Sequence, residues 1–161
     1  MESEERFGQY RALVRQSFAH GESVVCIVPT HLDAKLVKEE LSKGIEEFTY
    51  LFTSELKKAE ARNVWSSAQK EVHPILFITT PIGLFFSRPD INMIIVEREN
   101  ARAYRTFIRP FIDFKFFIHA LARHGGQQLA LGDSILPIET LWKEKKGDYG
   151  EMSLIRWRLP A

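Results

Sequence analysis

The chain has 161 residues, enough for one domain whose core folds without staples. Hydrophobic residues make up 45% and charged residues 27%, with 22 Lys and Arg against 21 Asp and Glu. That near-balance excludes a global field drawing the chain onto nucleic acid or an acidic membrane, so any such binding must come from a local patch. The one cysteine, Cys26, lies in an apolar run, which excludes an intramolecular disulfide and fits a buried structural thiol in a reducing compartment. Residues 1–9 are acidic and polar where a secretory signal would be basic and then apolar, and no apolar run approaches the roughly 20 residues that span a bilayer. A soluble cytoplasmic protein without a membrane segment is expected.

Phe7, Tyr10, Leu13, Val14 and Phe18 recur at three- and four-residue steps and predict an amphipathic helix ending near His20-Gly21. Val24 to Val28 are apolar without interruption, the pattern of a strand covered on both faces, as in parallel sheets. Thr30 with Asp33 can cap a second helix that turns Leu36, Val37 and Leu41 inward and stops at Gly44. Phe48 to Phe52 reads as a second strand. A polar helix from about Ser54 to Lys70 follows, with Leu56, Ala59, Val64 and Ala68 as its inner face.

Ile75 to Thr79 and Met93 to Val96 are the next apolar strands, separated by a turn region marked by Pro81, Gly83, Pro89 and Asp90. Charged and aromatic residues then interleave from Glu97 to Phe117, before a helix ending at His124-Gly125-Gly126. Phe111, Phe114, Phe117, Ile118 and Leu121 are expected to be its core-facing side. Leu129 to Leu131 supplies a fifth strand and Ile138 to Lys143 a short helix. Strands alternating with helices at this spacing predict an α/β domain with a mainly parallel five-stranded sheet at 23–29, 48–52, 75–79, 93–97 and 127–131, helices on both faces. The domain is expected over residues 1–146, with 147–161 a final strand or a linker.

In doubly wound folds function sits at the carboxyl ends of the strands. Those ends are Val28-Pro29-Thr30, then Thr79-Thr80-Pro81-Ile82-Gly83-Leu84-Phe85, then Ile94-Ile95-Val96-Glu97-Arg98-Glu99-Asn100, then Leu131-Gly132-Asp133-Ser134 with Ile138-Glu139-Thr140-Leu141 beyond. Their order, with Ser54, Leu56, Glu60, Trp65 and Tyr104 between, resembles the first motor domain of the primosomal replication-restart helicases over roughly Tyr10 to Tyr149. No single motif is specific; their common order carries the resemblance. It implies a RecA-like sheet, ATP and magnesium as the family's cofactors, and DNA as its substrate.

The departures from that family are as informative. The glycine loop that cradles phosphates needs a Gly-Lys pair, and the chain has none; the resemblance begins at the helix that follows such a loop. In the family's acidic motif an Asp holds magnesium and the next Glu orients water. Here the four positions read Glu97, Arg98, Glu99 and Asn100, and the family's Ser-Ala-Thr is Asp133-Ser134-Ile135. No catalytic residue and no bound cofactor are therefore expected in this chain.

Arg102, Tyr104, Arg105 and Arg109, interleaved with Phe107, combine guanidinium groups with aromatic faces, as a single-stranded nucleic-acid groove requires. The competing reading is a solvated turn in which the rings pack on the core and the Arg residues balance Glu97, Glu99 and Asp113. The five His residues lack metal-ligand spacing, so no metal is expected. The leading expectation is a degenerate primosomal helicase-like domain, inactive as an ATPase alone, that binds single-stranded or branched DNA weakly or joins replication-restart proteins. Two alternatives stand beside it: a fragment of a longer active helicase that lacks its second motor domain, and a protein-interaction module without nucleic-acid affinity.

Overall fold

The computed structural model describes residues 3–152. Five helices, α1 (Ser3–Ala19), α2 (His31–Leu41), α3 (Lys58–Lys70), α4 (Phe114–Gly125) and α5 (Ile138–Lys146), alternate with five strands. The strands are β1 (Ser23–Ile27), β2 (Thr49–Phe52), β3 (Leu76–Thr79), β4 (Ile91–Glu97) and β5 (Gln128–Gly132). They form one parallel sheet in the order β2-β3-β1-β4-β5. The expected parallel five-stranded sheet is thus present, each strand within about two residues of its predicted bounds. The tail expected as a strand or linker lies, from residue 153 onward, outside the described residues.

Uninterrupted apolar strands imply two buried faces, and the sheet has both. Val24, Cys26 and Val28 face one core with Phe7, Tyr10 and Val14 of α1 and Ala34, Val37 and Leu41 of α2. Val25 and Ile27 point the other way, into a core holding Ala68 of α3, Ile118 and Ala122 of α4, and Phe77, Leu84, Phe86 and Tyr104. In that second core Phe77 and Phe86 stack at 3.8 Å between ring centroids, and Trp65 meets Phe86 edge-on at 5.1 Å. Dispersion among such large rings adds to the area removed from water.

Local signals account for the helix ends. Thr30 caps α2 by accepting from the Asp33 amide at 3.2 Å, as its sequence position predicts. Asp113 caps α4, accepting from Lys115 N–H at 2.9 Å, and Gly126 ends it in the left-handed conformation.

Three inner faces depart from expectation. Leu36 is half-exposed, because α2 seats the small Ala34 against the sheet and turns Leu32 and Leu36 outward together. Helix α3 begins at Lys58 with a capping box closed by Glu60, which leaves Ala59 in solvent and makes Ala68 its one buried residue. On α4 only Ile118 and Ala122 are buried. Phe111 precedes that helix and is exposed, while Phe117 and Leu121 lie on its open flank. Periodicity located these helical stripes but not how wide the contact with the sheet would be.

Candidate functional site

The chain runs β1, out to β2, back to β3 beside β1, and then across β1 to β4. The order of strands therefore reverses around β1, and the carboxyl ends of β1 and β4 lie side by side with Ile27 opposite Val96. Such a reversal opens a crevice in α/β sheets. Here the crevice is filled from within. Glu97, the last residue of β4, accepts from Arg6 Nε at 2.9 Å on Oε2 and from Arg6 Nη2 at 2.7 Å on Oε1. The Tyr10 hydroxyl donates to Oε2 at 2.8 Å.

Arg6 and Tyr10 stand one turn apart on α1, so one helix face delivers both to the carboxylate. All three side chains are buried. The hydrogen bond to Glu97, partly offset by burial, raises the Arg6 guanidinium still further above its ordinary value. Burial, reinforced by the Glu97 charge, pushes the Tyr10 hydroxyl well up. Gly132 at the end of β5 lies against this group, where a Cβ would overlap the Tyr10 hydroxyl and come within 3.0 Å of Arg6 Cδ.

Magnesium, which the primosomal resemblance implies, does not fit at Glu97 as it stands, because both carboxylate oxygens already accept from α1 side chains. Arg98 follows in the left-handed conformation at φ 51°, unusual for a residue with a Cβ, and Nη1 donates to Asp33 of α2 at 2.8 Å. Glu99 turns inward, buried, and accepts from Thr140 at 2.7 Å. The Asn100 amide donates to Asp133 at 2.8 Å. Residues 97–100 therefore face different partners and do not converge on one point. Among the described residues no cluster of three His, Cys, Asp or Glu side chains is placed to hold a metal.

The expected nucleic-acid residues separate into two groups. Tyr104 is fully buried, and its hydroxyl donates between the carbonyls of Glu97 at 2.7 Å and Ile27 at 3.0 Å. It clamps the ends of β1 and β4, so the expectation that a base stacks on Tyr104 is corrected: neither face of the ring reaches solvent. The other three lie on or beside a loop closed at its base by Arg105 Nε donating to Asp113 at 3.1 Å and by Thr106 N–H donating to Ile112 at 2.9 Å.

The loop tip presents Phe107 at 64% exposure, Ile108 at 82% and Phe111 at 70%, with Arg109 exposed beside them. The Arg102 guanidinium sits 5.2 Å above the Phe107 ring. Arg102 and Arg109 make no ion pair among the described residues, whereas Arg105 is partly neutralised by Asp113.

Sequence reading included Phe107 but missed Arg6, and it placed Phe111 on the core-facing side, whereas its ring is exposed. The signal for Arg6 was present: a charged residue four before Tyr10, on the apolar face of an amphipathic helix, has to find a buried partner.

No protein-family model matches the chain, and no curated protein matches it. Solved structures do. The C-terminal domain of Saccharomyces cerevisiae Dbp5, solved bound to Gle1 and IP6, is 14% identical with a TM-score of 0.59, covering 91% of this chain and 80% of that one. A second structure of the Dbp5 C-terminal domain, a DEAD-box protein, is 15% identical with a TM-score of 0.56 over 91% and 81%. The Pyrococcus furiosus Hef helicase domain is 14% identical with a TM-score of 0.58 over 84% of this chain. The chain spans 27% of the Hef chain and 40% of a Sulfolobus solfataricus SWI2/SNF2 ATPase C-terminal domain. The likenesses to the Dbp5 and Hef structures establish the fold: the chain is a RecA-like α/β domain.

Proposed function

We propose that this chain is a primosomal helicase-like domain that does not turn over ATP by itself and serves as a binding module for single-stranded nucleic acid. One observation carries the first half: Arg6 closes on Glu97, the position where the family's magnesium-holding Asp would stand, and supplies from inside the positive charge that a metal would bring. Arg98, turned toward Asp33, leaves the water-orienting position with a cation. The binding half rests on the 105–113 loop, whose free Arg109, with neighbouring Arg102 and the rings of Phe107 and Phe111, combines phosphate contact with base stacking. Replication-restart proteins, or a second motor domain, are the protein partners this reading implies.

A second reading, a protein-docking module without nucleic-acid affinity, draws support from Ile108, an aliphatic side chain at the loop tip that has no use in base stacking. One assay separates the readings. The purified chain is mixed with single-stranded oligonucleotide, magnesium and ATP. Oligonucleotide retention at low salt without phosphate release is expected. DNA-stimulated phosphate release would overturn the proposal, and absence of retention would leave the docking module.

A further inference from the structure

Helix α5 meets the segment after β4 through Thr140, with little apolar burial: Thr140 is its one buried residue, while Ile138, Leu141 and Trp142 are exposed. The Thr140 hydroxyl donates to Glu99 Oε1 at 2.7 Å. Glu99 is only 3% exposed, and its other oxygen, Oε2, has no hydrogen-bond partner. A carboxylate buried with one oxygen unpaired is costly when charged and tolerable when protonated.

Its backbone cannot swing the group out. Glu99 N–H donates to Gly132 at 3.1 Å and Asn100 N–H to Asp133 at 2.8 Å, tying the strand ends together. The charged groups around Glu99 are Lys115 of α4, Asp133 after β5 and Lys143 of α5. Burial raises the Glu99 carboxyl above its ordinary range; Asp133 adds to this, and Thr140, Lys115 and Lys143 oppose it without reversing it. Beyond α5, the Tyr149 hydroxyl meets His119 Nδ1 at 3.0 Å, and burial with the nearby Lys143 and Lys115 charges pushes that imidazole down toward its neutral form.

We propose that Glu99 is a proton-linked latch for α5: the helix stays docked through Thr140 while Glu99 carries its proton, and is released when that proton passes to solvent. The ends of the moving unit are built for it, with Pro137 before α5 and Gly147 after it at φ 83°. Release uncovers Glu99, just past the end of β4.

The sign follows from linkage. When α5 is undocked, water reaches Glu99 and its pKa is ordinary; when α5 is docked, the pKa is raised. The latch is therefore complete below the ordinary carboxylate value and is lost as pH rises through the raised one.

The test is amide hydrogen exchange of α5 in the full chain between about pH 4 and about pH 8, corrected for intrinsic rates, with an expected rise in opening of about tenfold per unit separating the two pKa values. Glu99→Gln should flatten the profile, Thr140→Ser should keep it, and His119→Gln should keep it. A flat parent profile, a Glu99→Gln profile as steep as the parent's, or a slope that disappears only in His119→Gln would overturn the latch.

Discussion

The Arg6 guanidinium and the Glu97 carboxylate, 91 residues apart in sequence, meet through two hydrogen bonds of 2.9 and 2.7 Å at the carboxyl end of β4. Removing either partner strands a buried charge, which typically costs about 3 to 5 kcal/mol. Arg6→Ala and Glu97→Ala should each lower unfolding stability by that order in denaturant titrations. The double variant should cost clearly less than the sum, because the second removal also removes the unpaired charge. Additive losses would show that the pair is not coupled in the folded chain.

Gly132 allows α1 to lie against the end of β5. Gly132→Ala should push Tyr10 and Arg6 off Glu97 and destabilise the fold by about 1 to 3 kcal/mol, the usual range for overpacking. Gly→Ala at Gly8, where the nearest neighbour to the new Cβ is the flexible end of Arg11 at 3.9 Å, should be neutral or better. Chemical denaturation of both variants checks the contrast.

Tyr104 separates a structural from a binding role within the expected nucleic-acid set. Tyr104→Phe should cost about 1 to 3 kcal/mol, since it leaves two buried strand-end carbonyls short of their donor. It should leave oligonucleotide affinity unchanged in the still-folded variant. Phe107→Ala should do the reverse, with near-native stability and weaker binding; anisotropy titrations beside melting curves test both.

Cys26 is buried mid-strand, and burial followed by the Glu97 charge pushes its thiol well above its ordinary value. Native protein should resist alkylation near neutral pH and react only as the fold opens, so the labelling rate should track denaturant. Fast native labelling would place the thiol elsewhere.

The sheet was legible because buried parallel strands write themselves as uninterrupted apolar runs between helical stripes, as in Val24 to Val28 and Ile75 to Thr79. The strand-end positions could be read from that pattern alone. What each strand-end side chain touches could not. Glu97 finds its partner on α1, Arg98 on α2, and Glu99 on α5, contacts fixed by the packing of helices on the sheet and invisible to local spacing. Tyr104 and Phe107, three residues apart in one aromatic-rich stretch, look equivalent in sequence; the short 3-10 turn at Arg102–Tyr104 sends one ring into the core and leaves the other outside.

A nucleic-acid role for the 105–113 loop is tested most directly by binding of a fluorescent single-stranded oligonucleotide across a salt series, comparing the parent with a folded Arg102→Ala, Arg105→Ala, Arg109→Ala triple variant. Weak parent binding is expected at low salt, with log affinity falling linearly against log salt. The triple variant should bind more weakly and show a slope shallower by about one unit for each Arg that engages a phosphate. Arg105, partly neutralised by Asp113, should contribute least. Equal affinity and equal slope for parent and triple variant would contradict that role and leave the loop a structural or protein-docking element.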